Sequence, residues 1–185
     1  QDSTSNVTGN PNLVATGGTV TTCGNFKIHT FTGPGTFTVS QVSTTAAENT
    51  VGYQVVGGGG GANNGGGGGG GFREGRTTTC SYTVSPLNAP AGLPVSAQAY
   101  PITVGGGGTG AAAGSSNTNG VNSVFSTITS TGGGKAGQGN SPDSAAATNG
   151  GPGGSGGGGF AYTAAVGGNT AGTGNTPPVS PPQGN

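Results

Sequence analysis

The chain has 185 residues, 46 of them glycine, and 4% charged side chains against about 25% in an average globular domain. Lys27, Arg73, Arg76 and Lys135 balance Asp2, Glu48, Glu74 and Asp143, so the net charge is zero. That balance leaves no basic patch for nucleic acid, and no apolar run approaches the ~20 residues of a membrane span.

Hydrophobic residues make up 28% and aromatics 5%, so a conventional core is hard to build. A chain this rich in glycine would behave as a flexible linker, but several segments alternate as strands do. A near-zero charge does nothing to keep copies apart, which suits a protein that lives in an assembly. The chain starts at Gln1 and contains no Met. It reads as a processed mature chain or a piece of a longer one.

Residues 1–15 form a polar N-terminal arm, with a glycosylation triplet at Asn6-Val7-Thr8. A glycine-rich β domain follows over 16–175. Phe26 and Ile28 alternate with Lys27 and His29, placing the two apolar residues on one face. Gly33-Pro34-Gly35 is a turn signal before Phe37 and Val39, which predicts a hairpin. Strands are expected near 25–31, 36–42, 51–56, 101–104 and 121–129. Between 82 and 104, Pro86, Pro90, Pro94 and Pro101 confine any strand to an edge. Residues 176–185 form a Pro-rich linker or docking arm.

Strands repeatedly run straight into glycine. Val55-Val56 enters 57–61, with 65–71 beyond Ala62-Asn63-Asn64; Ile102-Thr103-Val104 enters 105–108; Ile128 to Thr131 enters 132–134. A fourth run spans 150–159. Such runs can be linkers, or polyglycine II helices, the glycine counterpart of polyproline II with three residues per turn. An extended strand passes into that helix with little change of φ and ψ. The expectation is that the runs pack on one another, so that a side chain at Gly67 or Gly106 is poorly tolerated. The fold class is therefore mainly β: an antiparallel β-sandwich-like domain with adjoining polyglycine II helices and little or no α-helix.

Chemistry-bearing patterns are missing. His29 has no nucleophile or orienting acid beside it, and Gly65–Gly71 is followed by Phe72-Arg73 rather than the Lys-Ser/Thr of a phosphate loop. Asn140 to Ser144 is an oxygen-rich segment open to calcium, but with one carboxylate it is a weak candidate. No catalytic residue, metal site or cofactor is expected. Cys23 and Cys80 lack metal-ligand neighbours. A Cys23–Cys80 disulfide is expected, with two free thiols as the alternative; a bridge would place the protein outside the cytosol or on a virion. The candidate surface-contact residues flank the glycine runs: Asn63, Asn64, Phe72, Arg73, Arg76, Phe160 and Tyr162. In the alternative reading, Phe72, Phe160 and Tyr162 cap the ends of a glycine bundle.

The stretch Ala15 to Thr22, continued by Phe26-Lys27-Ile28-His29-Thr30-Phe31-Thr32-Gly33-Pro34-Gly35-Thr36-Phe37-Thr38-Val39, resembles a glycine-rich repeat domain. That domain occurs in tail-fibre-like and virion structural proteins of aquatic phages and in bacterial surface proteins. Tyr53 to Val56, Val95 to Gly105, Asn122 to Ser126 and the ending Gly174 to Asn185 fit the same pattern. The resemblance covers roughly residues 15–185. Cys23 and the Thr77–Cys80 insertion depart from it. It implies a non-catalytic, extracellular or virion-surface domain of a tail fibre contacting a host. The alternative is a self-assembling subunit of a bacterial filament or surface layer. The implied partners are copies of itself, neighbouring fibre domains, or a host-surface glycan or protein, with no nucleic acid and no membrane insertion.

Overall fold

The computed structural model describes residues 12–76, 83, 85–112, 116–138, 149–160 and 170–185. The strands are β1 (Val14–Thr16), β2 (Thr19–Cys23), β3 (Phe26–Thr30), β4 (Gly35–Gln41), β5 (Thr50–Val51) and β6 (Tyr53–Val56). They continue as β7 (Phe72–Gly75), β8 (Asn88–Ala89), β9 (Leu93–Pro94), β10 (Ala99–Thr103), β11 (Ser123–Phe125) and β12 (Ile128–Ser130). One 3-10 turn, Ala46–Glu48, is the helical element among the described residues. The domain is mainly β and sandwich-like; its strand pairs are antiparallel except β7 with β8.

The largest sheet has the order β1-β4-β10-β11-β12. Its core follows from alternation on β4, which buries Phe37 and Val39 on one face. Tyr100 lies directly opposite Phe37 on β10. Phe125 meets both rings at steep angles, 5.8 Å from Phe37 and 6.1 Å from Tyr100, the edge-on geometry that aromatic quadrupoles favour. Each such side chain contributes about 1.5–3 kcal/mol by burial. The Tyr100 hydroxyl accepts from the Ser96 N–H at 2.7 Å. Burial works to raise the phenol pKa, but hydrogen bonds with Ser96 and Gln98 make the net shift downward.

The hairpin expected around Gly33-Pro34-Gly35 does not form. β3 pairs instead with β2, through a tight turn at Gly24-Asn25 where Gly24 has φ +56°. Both edges of β4 are taken by β1 and β10. The chain bends between β3 and β4, leaving His29 edge-on to Phe37 at 5.1 Å without a ladder between them. Gly17, at φ +111°, makes the preceding corner; a Cβ there would collide with the Thr36 carbonyl. The strand expected over 51–56 is split at Gly52, β5 pairing with β9 and β6 with β7. The strand expected over 121–129 is a hairpin, because Ser126 turns the chain at φ +54°. Cys23 is a free, exposed thiol at the tip of the β2–β3 hairpin, so the bridge to Cys80 is not made here. Cys80 itself, Asn6 and the segment from Asn140 to Ser144 lie outside the described residues.

The glycine runs are not linkers. Beyond the Val56↔Phe72 pair of β6 and β7, the Gly57 N–H donates to the Gly71 carbonyl, Gly60 to Gly68 and Asn63 to Gly65. The register is that of the β ladder, but bonding now recurs every third residue, the period of polyglycine II. Rod 1 (57–63) and rod 2 (65–71) are thus the continuation of one hairpin. β10 and β11 extend in the same way into rod 3 (105–111) and rod 4 (117–122). There, unchanged in register, Val121 donates to Gly106 and Thr118 to Thr109. β12 extends into rod 5 (131–137). Rods 6 (150–154), 7 (155–158) and 8 (170–175) complete the bundle, Gly150 donating to Thr170 and Gly153 to Thr173.

Rods this close leave no room for Cβ atoms. A Cβ on Gly58, Gly67 or Gly134 would run into the carbonyl of Gly106, Gly60 or Gly151 respectively. Gly106 differs from expectation: nothing lies within 4 Å of its Cβ position, which faces outward.

Candidate functional site

Rod 5 is the axis of the bundle. Rods 1, 2, 4, 6 and 7 bond to it from all round, and every peptide group from Thr131 to Gly137 is paired. Its N–H groups sort by threes. Gly133 and Ala136 donate to Gly58 and Gly61 of rod 1, and Gly134 and Gly137 to Ser155 and Gly158 of rod 7. Gly132 and Lys135 donate to the side-chain oxygens of Asn122 and Asn119 on rod 4, at 2.9 and 2.8 Å. The carbonyls sort likewise. Those of 131, 134 and 137 accept from Gly71, Gly68 and Gly65 of rod 2, and those of 132 and 135 from Gly154 and Gly151 of rod 6. The carbonyl of 133 accepts from Gly120, and that of 136 from the buried Asn117 side chain at 3.0 Å. A buried backbone group left alone costs about 1–3 kcal/mol, so this saturation is what makes a glycine core stable.

The end of the axis nearest the sheets is closed by the C-terminal segment. Gln183 is 1% exposed. Its side-chain oxygen accepts from the Thr131 N–H at 2.8 Å, and its amide nitrogen donates to the Thr131 hydroxyl and the Pro177 carbonyl. Its backbone carbonyl accepts from Phe72. The docking arm expected at 176–185 therefore docks on its own chain.

The opposite end lies away from the sheets. Rods 1 and 2 are joined there by Ala62-Asn63-Asn64. Ala112, Ser116, Gln138, Asn149, Phe160 and Thr170 also stand at this end of their rods. The Asn63 side chain donates to the Ala112 carbonyl at 3.3 Å and accepts from the Asn64 N–H, while Asn64 is exposed. The Asn149 side chain accepts from the Thr170 N–H at 3.1 Å. The described part of this tip is amide- and hydroxyl-rich and uncharged.

The expected contact residues are split between the two ends. Asn63, Asn64 and the half-buried Phe160 are at the tip. Phe72, Arg73 and Arg76, also half-buried, are at the base, a rod length away, roughly 20 Å at ~3.1 Å per residue. Tyr162 lies outside the described residues. Sequence reasoning missed Asn117, Asn119, Asn122 and Gln183. Their signal was available in one place, the three-residue spacing of Asn119 and Asn122. His29 sits in the fold through its Nδ1 contact with the Gly17 carbonyl, 2.8 Å, and its packing on Phe37. Among the described residues there is no cluster of His, Cys, Asp and Glu that could hold a metal, and no helix long and apolar enough to cross a membrane.

Strands that run on in register into hydrogen-bonded glycine rods define a glycine-rich β domain. A family model described as a glycine-rich domain matches residues 30–185, and the chain belongs to that family. Neither a search of curated proteins nor one of solved structures found a match.

Proposed function

We propose that this is a non-catalytic presenting domain. The polyglycine bundle acts as a stiff stalk, and the loops at its far end touch a surface. In its fuller form the reading is of a virion-surface or extracellular domain, as at the end of a phage tail fibre, meeting a glycan or protein on a host. The observation that carries it is that the scaffold's axis is hydrogen-bonded throughout, while at the end away from the sheets the rods finish in polar, uncharged residues such as Asn63, Asn64 and Asn149. Neutral amide and aromatic groups suit sugar hydroxyls and protein surfaces. The C-terminal segment is occupied within its own chain, so it is not free to donate a strand to a neighbour.

The test exchanges the tip and leaves the bundle. Asn64→Gly and Phe160→Ala are each assayed on glycan arrays and on intact bacteria, beside Arg73→Ala at the base. Loss of binding in the tip variants, with unfolding midpoints unchanged, supports the reading. Binding that survives at the tip and is lost at the base overturns it.

A further inference from the structure

Glycine is retained on this bundle at positions where no described residue demands it. On the inward faces a Cβ would strike a neighbouring backbone. On the outer side of rods 1, 2 and 3 it would not: no atom of the described residues lies within 4 Å of the Cβ position of Gly66 or Gly106, and the nearest to Gly59, Gly69 and Gly107 are 3.7–3.8 Å away. An ordered glycine loses more backbone freedom than any other residue, so a monomer alone gains nothing from bare glycine there. The same face carries a second mark. The N–H groups of Gly59, Gly66, Gly69 and Gly107 have no partner among the described residues. Gly66 and Gly69 are one three-residue turn apart, the spacing at which the interior rods bond to one another. Rods 1, 2 and 3 contain no charged residue.

We propose that this outer face is a docking surface for a second copy of the chain, rod against rod. It has the properties of an unpaired sheet edge spread over a layer: open donors at a fixed repeat, no side chain to hold a partner off, and no charge to repel one. A second copy supplies what fits, a bare glycine face with the same repeat. The inference goes beyond the tip reading and does not depend on it.

Sedimentation velocity of the chain at rising concentration is expected to show a monomer–dimer equilibrium. Gly66→Lys and Gly107→Lys, at positions with room for a side chain, weaken it by at least about tenfold in Kd without lowering the unfolding midpoint of the dilute monomer. Phe26→Ser, on the exposed β2–β3 hairpin, leaves Kd unchanged. Amide exchange of the unmodified chain gives a reading independent of the variants: protection at Gly59, Gly66 and Gly69 rises with concentration. A monomer at every concentration overturns the proposal. So does a dimer that survives Gly66→Lys or that Phe26→Ser abolishes.

Discussion

Val56 faces Phe72 across the last rung of the β6–β7 ladder, and one residue further on Gly57 bonds to Gly71 in the same register, at 2.9 Å. The side chains stop and the pairing does not. What changes is the repeat, from two residues to three, so each rod can bond to several neighbours where a strand bonds to two.

That change of repeat makes tolerance alternate sharply along a rod. A Cβ at Gly67 meets the Gly60 carbonyl, while one at Gly66 meets nothing within 4 Å. Gly67→Val is expected to cost about 2–4 kcal/mol, from overpacking and unpaired amides together. Gly66→Val and Gly106→Val are expected to stay within about 0.5 kcal/mol, as surface changes do. Urea unfolding at low protein concentration measures all three; equal effects at 66 and 67 would count against the packed rods.

The asparagine side chains of rod 4 replace backbone donors and acceptors. Asn119→Ala leaves the Lys135 N–H without its acceptor, and Asn117→Leu leaves the Ala136 carbonyl without its donor and takes from the Gly61 carbonyl one of its two, the Ala136 N–H remaining. Each is expected to cost about 1–3 kcal/mol, with Asn117→Leu the worse because its site is buried. Asn122→Ser, which keeps an oxygen on a shorter arm, should fall below Asn122→Ala in cost. Chemical denaturation orders the series; a flat series would mean that water takes over these roles.

Gln183 seals the base. Gln183→Ala is expected to lower stability by about 1–3 kcal/mol through the orphaned Thr131 amide. Hydrogen exchange should quicken at Thr131, whose amide bonds to the lost side chain, and change little at Phe72, which bonds to the Gln183 backbone. Uniform quickening over the whole bundle would point to global loosening instead of a local seal.

Cys23 stands exposed at a hairpin tip with its thiol free. It is expected to alkylate in the native state as fast as in the unfolded chain, and Cys23→Ser should leave stability within about 0.5 kcal/mol. A native chain that resists alkylation until reduced would restore the bridge.

Much of this arrangement was legible in the residues. The junctions Val55-Val56 and Thr103-Val104 predicted rods because no turn residue stands between strand and glycine, and the rods are there. Alternation placed Phe37 and Val39 on one buried face. The failures have physical causes. Gly33-Pro34-Gly35 signals a bend, but a bend does not decide which strand the next one pairs with, and Gly24-Asn25 closed a hairpin first. Ser126 carries no turn signature, so one strand was read where the chain folds back. The pairing of Asn117 and Gln183 with rod 5 joins residues distant in sequence, which no local pattern encodes. Flanking a glycine run selected residues from both ends of the bundle, Asn63, Asn64 and Phe160 at one and Phe72, Arg73 and Arg76 at the other. A run has two ends, and composition does not distinguish them.

The saturated axis has a consequence for how the chain comes together. Rod 5 takes its partners from residues 58–71, 117–122 and 151–158, with Gln183 at its end. None of them is its immediate neighbour in sequence. The entropy of closing those loops falls due before the lattice compensates for it, and a half-built lattice exposes unpaired amides with no side chains to shelter them. Rods 1 and 2 can pair as soon as they are made, being one local hairpin. The axis itself is expected to gain its full set of partners only after Gln183 has been made, when the Phe37–Tyr100–Phe125 core can already be in place.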